Sequence, residues 1–346
     1  MRRAYLLALC FTFTAGSHHH HAACPSDSAW RLGIPVVACH RDPPCIEETW
    51  LTLERCRGLR ADSDWPTYDP HILRHIDWVN AKQMVHTHLR GKTLLFVGDS
   101  ITRNVWNGFA CELARRGLTL DANHPRVAAL RSVSNALNES AGWFPINDML
   151  YIPETDTVVG WKGWGKFNAY DTDCTTQIAD VLVINYGLHY SSLADYERDM
   201  RALFAALQTF RTQPGKVAIF RETASQSFYG TGAYVKNAHK TTSFCAPTTE
   251  DVAFNNTVWR QNEVVHRFAR EAGVPVLPFY NLTLPRWNMR LEKLCQVPAM
   301  MHEHDPETAC NHGECTRGCD VDCTHLCSTP TLWARHVSNL AEVLTL

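Results

Sequence analysis

Short, nearly continuous apolar runs recur along this chain from residue 93 onward, separated by stretches with helical spacing. The runs are TLLFV (Thr93–Val97), VLVINY (Val181–Tyr186), KVAIFRE (Lys216–Glu222) and VPVLPF (Val274–Phe279). The helical stretches are RNVWNGFACELARRG, closed by Gly117, then LADYERDMRALFAALQTF, TVWRQNEVVHRFAREAG and a last one from about Leu332 to Leu344. A strand that is apolar on both faces must be covered on both, so the alternation predicts a parallel sheet between two helical layers, a doubly wound α/β sandwich. Ligands in such sheets bind at the carboxyl ends of the strands. The turns Gly98-Asp99-Ser100, Asn185-Tyr186-Gly187 and Arg221-Glu222-Thr223 are expected there, with His189 and Tyr190 beside the cleft. Residues 118–173, with Trp143, Trp161 and Trp164, are less regular and are expected to line part of the substrate cleft.

The 346 residues, 45% apolar and 20% charged, suffice for one large domain and a lead-in. A net charge of −2 without a sustained basic run argues against a nucleic-acid partner. At the N-terminus, Arg2 and Arg3 precede an apolar stretch too short for a comfortable membrane span, the pattern of a secretory signal peptide over residues 1–23 or of a short signal anchor. Of 14 cysteines, Cys10 leaves with that segment, and the remainder imply a disulfide framework with one thiol left over. The C-terminal cysteines lack a C-x-x-C pair, so no metal site is expected. Sequons at Asn138, Asn255 and Asn281 are compatible with the secretory route. Residues 24–90, rich in Cys, Trp, Pro and Asp, read as a disulfide-held segment before a catalytic domain over 91–346.

LLFVGDSITRN carries the chemistry. Ser100 follows a strand and opens a helix, where a serine is either a nucleophile or an N-cap. A nucleophile needs a base and a group to orient it. VDCTHLC supplies Asp322 and His325 three residues apart, a spacing that puts both side chains on one face of a helical turn.

FVGDSITRNVWNGFAC together with DCTHLC resembles the plant trichome birefringence-like proteins, of the PC-esterase group within the SGNH/GDSL hydrolase fold. The blocks G-D-S-x-x-R-N and D-C-x-H-x-C are present as Gly98, Asp99, Ser100, Arg103, Asn104 and as Asp322, Cys323, His325, Cys327. Cys111 falls where that family places a cysteine, and CIEETWLTLERCRGLRADSDW resembles its N-terminal segment. Leu326, NYGLHY and Ser227 depart from the plant pattern. The resemblance implies an SGNH-like three-layer sandwich with a Ser100–His325–Asp322 triad. The Ser100 backbone N–H is the default oxyanion donor, with Arg103, Asn104, Asn185 and the Gly187 backbone as further oxyanion or substrate contacts. Gly98 and Asp99 are expected to build the turn. A bridge from Cys111 to Cys323 or Cys327 would hold the two halves together.

The expected activity is acetyl transfer through an acyl-serine to a cell-wall or extracellular polysaccharide in the secretory pathway, whether Golgi lumen or extracellular. It needs an acetyl donor as co-substrate and no bound cofactor. An acetyl esterase with the same residues and an inactive glycan-binding module are the alternatives.

Overall fold

The computed structural model describes residues 81–139, 146, 148–163, 165–233, 245–286, 290, 323–326 and 330–345. Its centre is a six-stranded sheet in the order β2-β3-β1-β4-β5-β6, formed by β1 (Thr93–Gly98), β2 (Asp148–Ile152), β3 (Thr157–Gly163), β4 (Val181–Ile184), β5 (Val217–Arg221) and β6 (Val276–Leu277). All neighbours are parallel except the edge pair β2–β3, so the sheet is mostly rather than wholly parallel.

The alternation of strand side chains divides the interior into two cores. Leu94 and Phe96 of β1, Val183 of β4 and Ile219 of β5 face one layer. That layer consists of α1 (Ala81–Met84), which continues into a π-helical turn Val85–Leu89, with α2 (Ser100–Arg115) and α9 (Pro330–Leu344). Leu95, Val97, Leu182 and Phe220 face the other. There α3 (Pro125–Glu139), α4 (Ala169–Ile178), α5 (Leu193–Arg211) and α7 (Thr257–Ala272) cover the sheet. Two short helices, α6 (Glu250–Ala253) and α8 (Tyr280–Thr283), complete the described elements. Ala81, Met84, Val85 and Leu89 are fully buried in the first core, so the packed domain includes residues upstream of Gly91.

The stretch expected to be less regular, 118–173, carries α3, β2, β3 and the start of α4. β2 and β3 are joined by a 3-10 turn, Pro153–Thr155, closed by Asp156 in the left-handed region at φ 52°. β3 includes Gly160, Lys162 and Gly163, which break the apolar signature of a strand, although Lys162 is buried. The run Val274–Phe279 yields only two paired residues because Pro275 and Pro278 cannot donate to a ladder, which suits an edge.

Chain order gives the site its place. From β1 the chain goes to β2 and β3 on one side, then crosses to β4 on the other, so the order reverses at β1. A crevice opens at the carboxyl end of a strand at such a switch point, and Ser100 follows β1 after the single residue Asp99.

Candidate active site

The turn after β1 is fixed by its own residues. Gly98 has φ +151°, and a Cβ there would lie 2.4 Å from the Asn185 carbonyl oxygen and 2.5 Å from Thr102 Oγ1. Backbone conformation and crowding therefore both require glycine. Asp99 follows in an extended conformation, and its Oδ1 accepts from the N–H groups of Ile101 (3.0 Å) and Thr102 (3.2 Å). The N-cap of α2 is thus Asp99, and Ser100 is the first helical residue. The Ser100 hydroxyl meets His325 instead, Oγ to Nε2 at 2.7 Å, across 225 residues of sequence.

His325 is held on both sides. Cys323 is bridged to Cys245, and its carbonyl accepts the Ser227 N–H at 3.0 Å. Thr324 Oγ1 accepts from Gln226 Nε2 at 2.7 Å, and the Thr324 carbonyl accepts from the Arg290 guanidinium. Leu326 pairs with Arg290 as an isolated bridge. Fully buried Arg290 also donates to the Ser225 carbonyl (2.8 Å) and Oγ (3.0 Å) and to the Thr283 carbonyl (3.3 Å). One guanidinium with its planar fork of donors thereby ties the His325 segment to the loop after β5.

This corrects one of the two expected clamps, Cys111 to Cys323. Cys323 pairs with Cys245, 78 residues away, and so cannot bridge Cys111. The reason lies in the topology: the loop leaving β5 runs beside the His325 segment, as Phe228 pairing with Cys245 and Ser227 bonding to Cys323 both record. Cys111 belongs to α2, but its side chain is outside the described residues, as are Cys327 and Asp322 entirely.

The remaining predicted residues divide. Arg103 is half-buried on α2 with its guanidinium carbon 5.3 Å from the Trp161 ring centre, a cation–π contact. It also faces Asp148, whose carboxyl burial pushes up against the opposing pull of Arg103 and Arg131. Asn104 is buried on α2. Asn185, expected as an oxyanion donor, directs its amide into the sheet. Nδ2 donates to the Arg221 carbonyl (2.9 Å) and to Thr223 Oγ1 (3.1 Å), a clamp between the exits of β4 and β5. Gly187 packs against the same threonine, for a Cβ there would lie 2.1 Å from Thr223 Oγ1. Tyr190, expected beside the cleft, is buried; its hydroxyl donates to Asp199 (2.9 Å) and accepts the Phe167 N–H (2.9 Å). His189 is exposed.

Sequence reasoning missed Arg290, Gln226 and Cys245. The cysteine count signalled that partners exist but not which, and nothing in the spacing of Arg290 marks a residue whose contacts are mostly to backbone carbonyls.

The arrangement brings a serine hydroxyl within hydrogen-bond reach of an imidazole at the carboxyl edge of the sheet. That is the geometry required for proton removal during nucleophilic attack. The PC-esterase family, described as GDSL/SGNH-like acyl-esterases found in Pmr5 and Cas1p, matches residues 76–136. No curated protein sequence matches the chain. Among solved structures, the acetyl xylan esterase AlAXEase is similar at 14% identity and a TM-score of 0.32, over 73% of this chain and 98% of its own. The periplasmic domain of the lipopolysaccharide acetyltransferase from Salmonella ser. Paratyphi A is similar at 10% identity and a TM-score of 0.31, over 74% and 84%. The stretch of this chain that is similar in sequence to PC-esterases is therefore the one holding β1, the Gly98-Asp99-Ser100 turn and α2.

Proposed function

We propose that this protein transfers an acetyl group through an acyl-Ser100 intermediate to a hydroxyl of a cell-wall or extracellular polysaccharide, as a trichome birefringence-like O-acetyltransferase. The observation that carries the reading is the 2.7 Å contact between Ser100 Oγ and His325 Nε2. His325 removes the Ser100 proton as Oγ attacks the acetyl carbonyl of the donor. Collapse of the tetrahedral intermediate expels the donor's leaving group, which takes that proton from the imidazolium. A sugar hydroxyl then gives its proton to His325 and attacks the acyl carbonyl, and His325 returns the proton to Ser100. In this reading Asp322 orients the imidazole and the Ser100 N–H stabilises the oxyanion.

A second reading, acetyl esterase, is favoured by one observation: Ser100 and His325 are only half-buried, so water can reach the pair. An inactive glycan-binding module would have no need of the Ser100–His325 contact. The setting proposed is the secretory pathway, in the Golgi lumen or outside the cell. The Cys245–Cys323 bridge supports it, as do sequons Asn255 and Asn281 at exposed positions.

The test is turnover of a small activated acetyl ester, then incubation with an acetyl donor and a panel of deacetylated polysaccharides, following sugar acetylation and free acetate by mass spectrometry. Ser100→Ala and His325→Ala are each expected to lower turnover on the order of 10³-fold, about 4 kcal/mol of transition-state stabilisation. Full activity in folded Ser100→Ala rejects the covalent role. Acetate release with no acceptor modified across the panel favours the esterase.

A further inference from the structure

We propose that Arg221 is the positioning residue of the nucleophile, acting on Ser100 through the Thr102 hydroxyl and the Asp99 carboxylate; this rests on the reading of Ser100 as nucleophile. Arg221 ends β5, two strands from β1, and is fully buried. Its Nη2 donates to Thr102 Oγ1 at 3.0 Å, and Thr102 Oγ1 in turn donates to Asp99 Oδ1 at 3.4 Å. The same Asp99 oxygen accepts the Ile101 N–H, the peptide that follows Ser100. On the other side of Ser100, Thr102 Oγ1 lies against the Gly98 α-carbon so closely that no Cβ fits between them. The hydroxyl of Thr102 is thus wedged under the turn, and Arg221 fixes which way it points. Once it accepts from the guanidinium, its own proton is directed to Asp99.

The guanidinium is itself held rigidly. Nη1 donates to the Glu222 carbonyl at 3.0 Å, the ring of Phe279 lies 4.6 Å from its central carbon, and its own carbonyl accepts from Asn185. Burial lowers its pKa to about 10, opposed by Asp99 and Glu222, so it remains charged at neutral pH. His336 of α9, also buried, is pushed down to about 3 by burial and then by the Arg221 charge, and stays neutral. Asp99 is 4% exposed, and a carboxylate so buried is costly without a compensating charge. Arg221 supplies that charge without occupying the Asp99 oxygen that caps α2. An arginine suits this place better than a lysine because a planar fork reaches Thr102 and the Glu222 carbonyl together.

The experiment measures the rate at which a fluorophosphonate probe labels Ser100, beside kcat and KM for a small acetyl ester. Thr102→Val, Thr102→Ser, Arg221→Met, Arg221→Lys and the double variant Thr102→Val/Arg221→Met are compared at matched folded fraction. Thr102→Val is expected to slow labelling about tenfold and Arg221→Met on the order of 10²-fold, since displacement of a reacting group by about an ångström has that cost. The loss should fall on kcat with KM unchanged. Thr102→Ser, which keeps the hydroxyl, should label near the wild-type rate, and Arg221→Lys should fall between. The double variant should lose less than the product of its parents, because both act through one hydrogen bond. If Arg221→Met does not fold, the Thr102 pair decides alone. Equal labelling of Thr102→Val and Thr102→Ser, or multiplicative losses in the double variant, overturns the proposal. Labelled Ser100 without ester turnover in the wild type rejects the proposed activity and leaves this inference standing. Unlabelled wild-type Ser100 rejects both.

Discussion

Replacing Cys245 and Cys323 together by alanine separates what holds the chain folded from what holds His325 in place. The bridge closes a loop with a sequence separation of 78 residues. The chain-entropy relation for a loop of that length gives about 4.5 kcal/mol at 25 °C. With a urea m-value of about 3 kcal/mol/M, the midpoint should fall by about 1.5 M, and the slope should steepen slightly because the unfolded chain becomes less compact. The catalytic effect should be smaller than removal of His325, because the Ser227–Cys323, Gln226–Thr324 and Arg290–Thr324 hydrogen bonds remain. A loss of about tenfold in kcat, with KM unchanged, is expected from residual looseness of the His325 segment. The assay is urea unfolding followed by intrinsic fluorescence, beside ester turnover under conditions where the variant is fully folded. An unchanged midpoint refutes the bridge. A lowered midpoint with wild-type kcat refutes its part in positioning His325.

Two further tests probe the frame. Gly98→Ala should destabilise the domain by more than about 1 kcal/mol and abolish most turnover, since its Cβ would meet the Asn185 carbonyl and Thr102; wild-type melting and kcat would refute the crowding. Burial pushes the Glu222 carboxyl up, but His266 and the N–H groups of Phe279 and Tyr280 outweigh it, and the net pKa lies below 4.5. A depressed folded pKa stabilises above the unfolded value and is lost as pH falls through the folded one. Acid unfolding measured below about pH 4.5 should therefore be shallower in Glu222→Gln, and identical pH slopes would remove Glu222 from the linkage.

The parts of the fold legible in the sequence are those where local pattern and tertiary environment agree. β1, β4 and β5 lie between two helical layers, so both faces of each strand are apolar and the runs announce themselves. β3 is next to β1 but carries Lys162 between two glycines, and its burial depends on partners distant in sequence. The turn Pro153–Thr155 with Asp156, lying between DMLYI and TVVGW, was the available hairpin signal. At the site, the Gly98-Asp99-Ser100 turn was legible because backbone geometry dictates residue type there. Asn185 was placed at the correct strand exit, but the direction of its amide depends on Thr223 and the Arg221 carbonyl, which no spacing encodes.

The exit of β5 explains how two segments 225 residues apart keep a 2.7 Å contact. Arg221 reaches back to Thr102, beneath the turn that carries Ser100. Four residues on, Ser225 receives Arg290, Gln226 reaches Thr324, and Ser227 bonds to Cys323, all of which hold the His325 segment. Phe228 then pairs with Cys245, the residue that completes the covalent tie to Cys323. A continuous stretch of backbone, 221–228, therefore reaches the nucleophile's turn with its first side chain and the segment of the base with residues 225–228. Because β5 pairs with β4 and β4 with β1, this stretch is registered to Ser100 through the sheet as well as through Arg221. The sheet thus aligns the pair without requiring the two motifs to be neighbours in sequence. A change in the loop after β5 should consequently alter the Ser100–His325 distance before it alters the core.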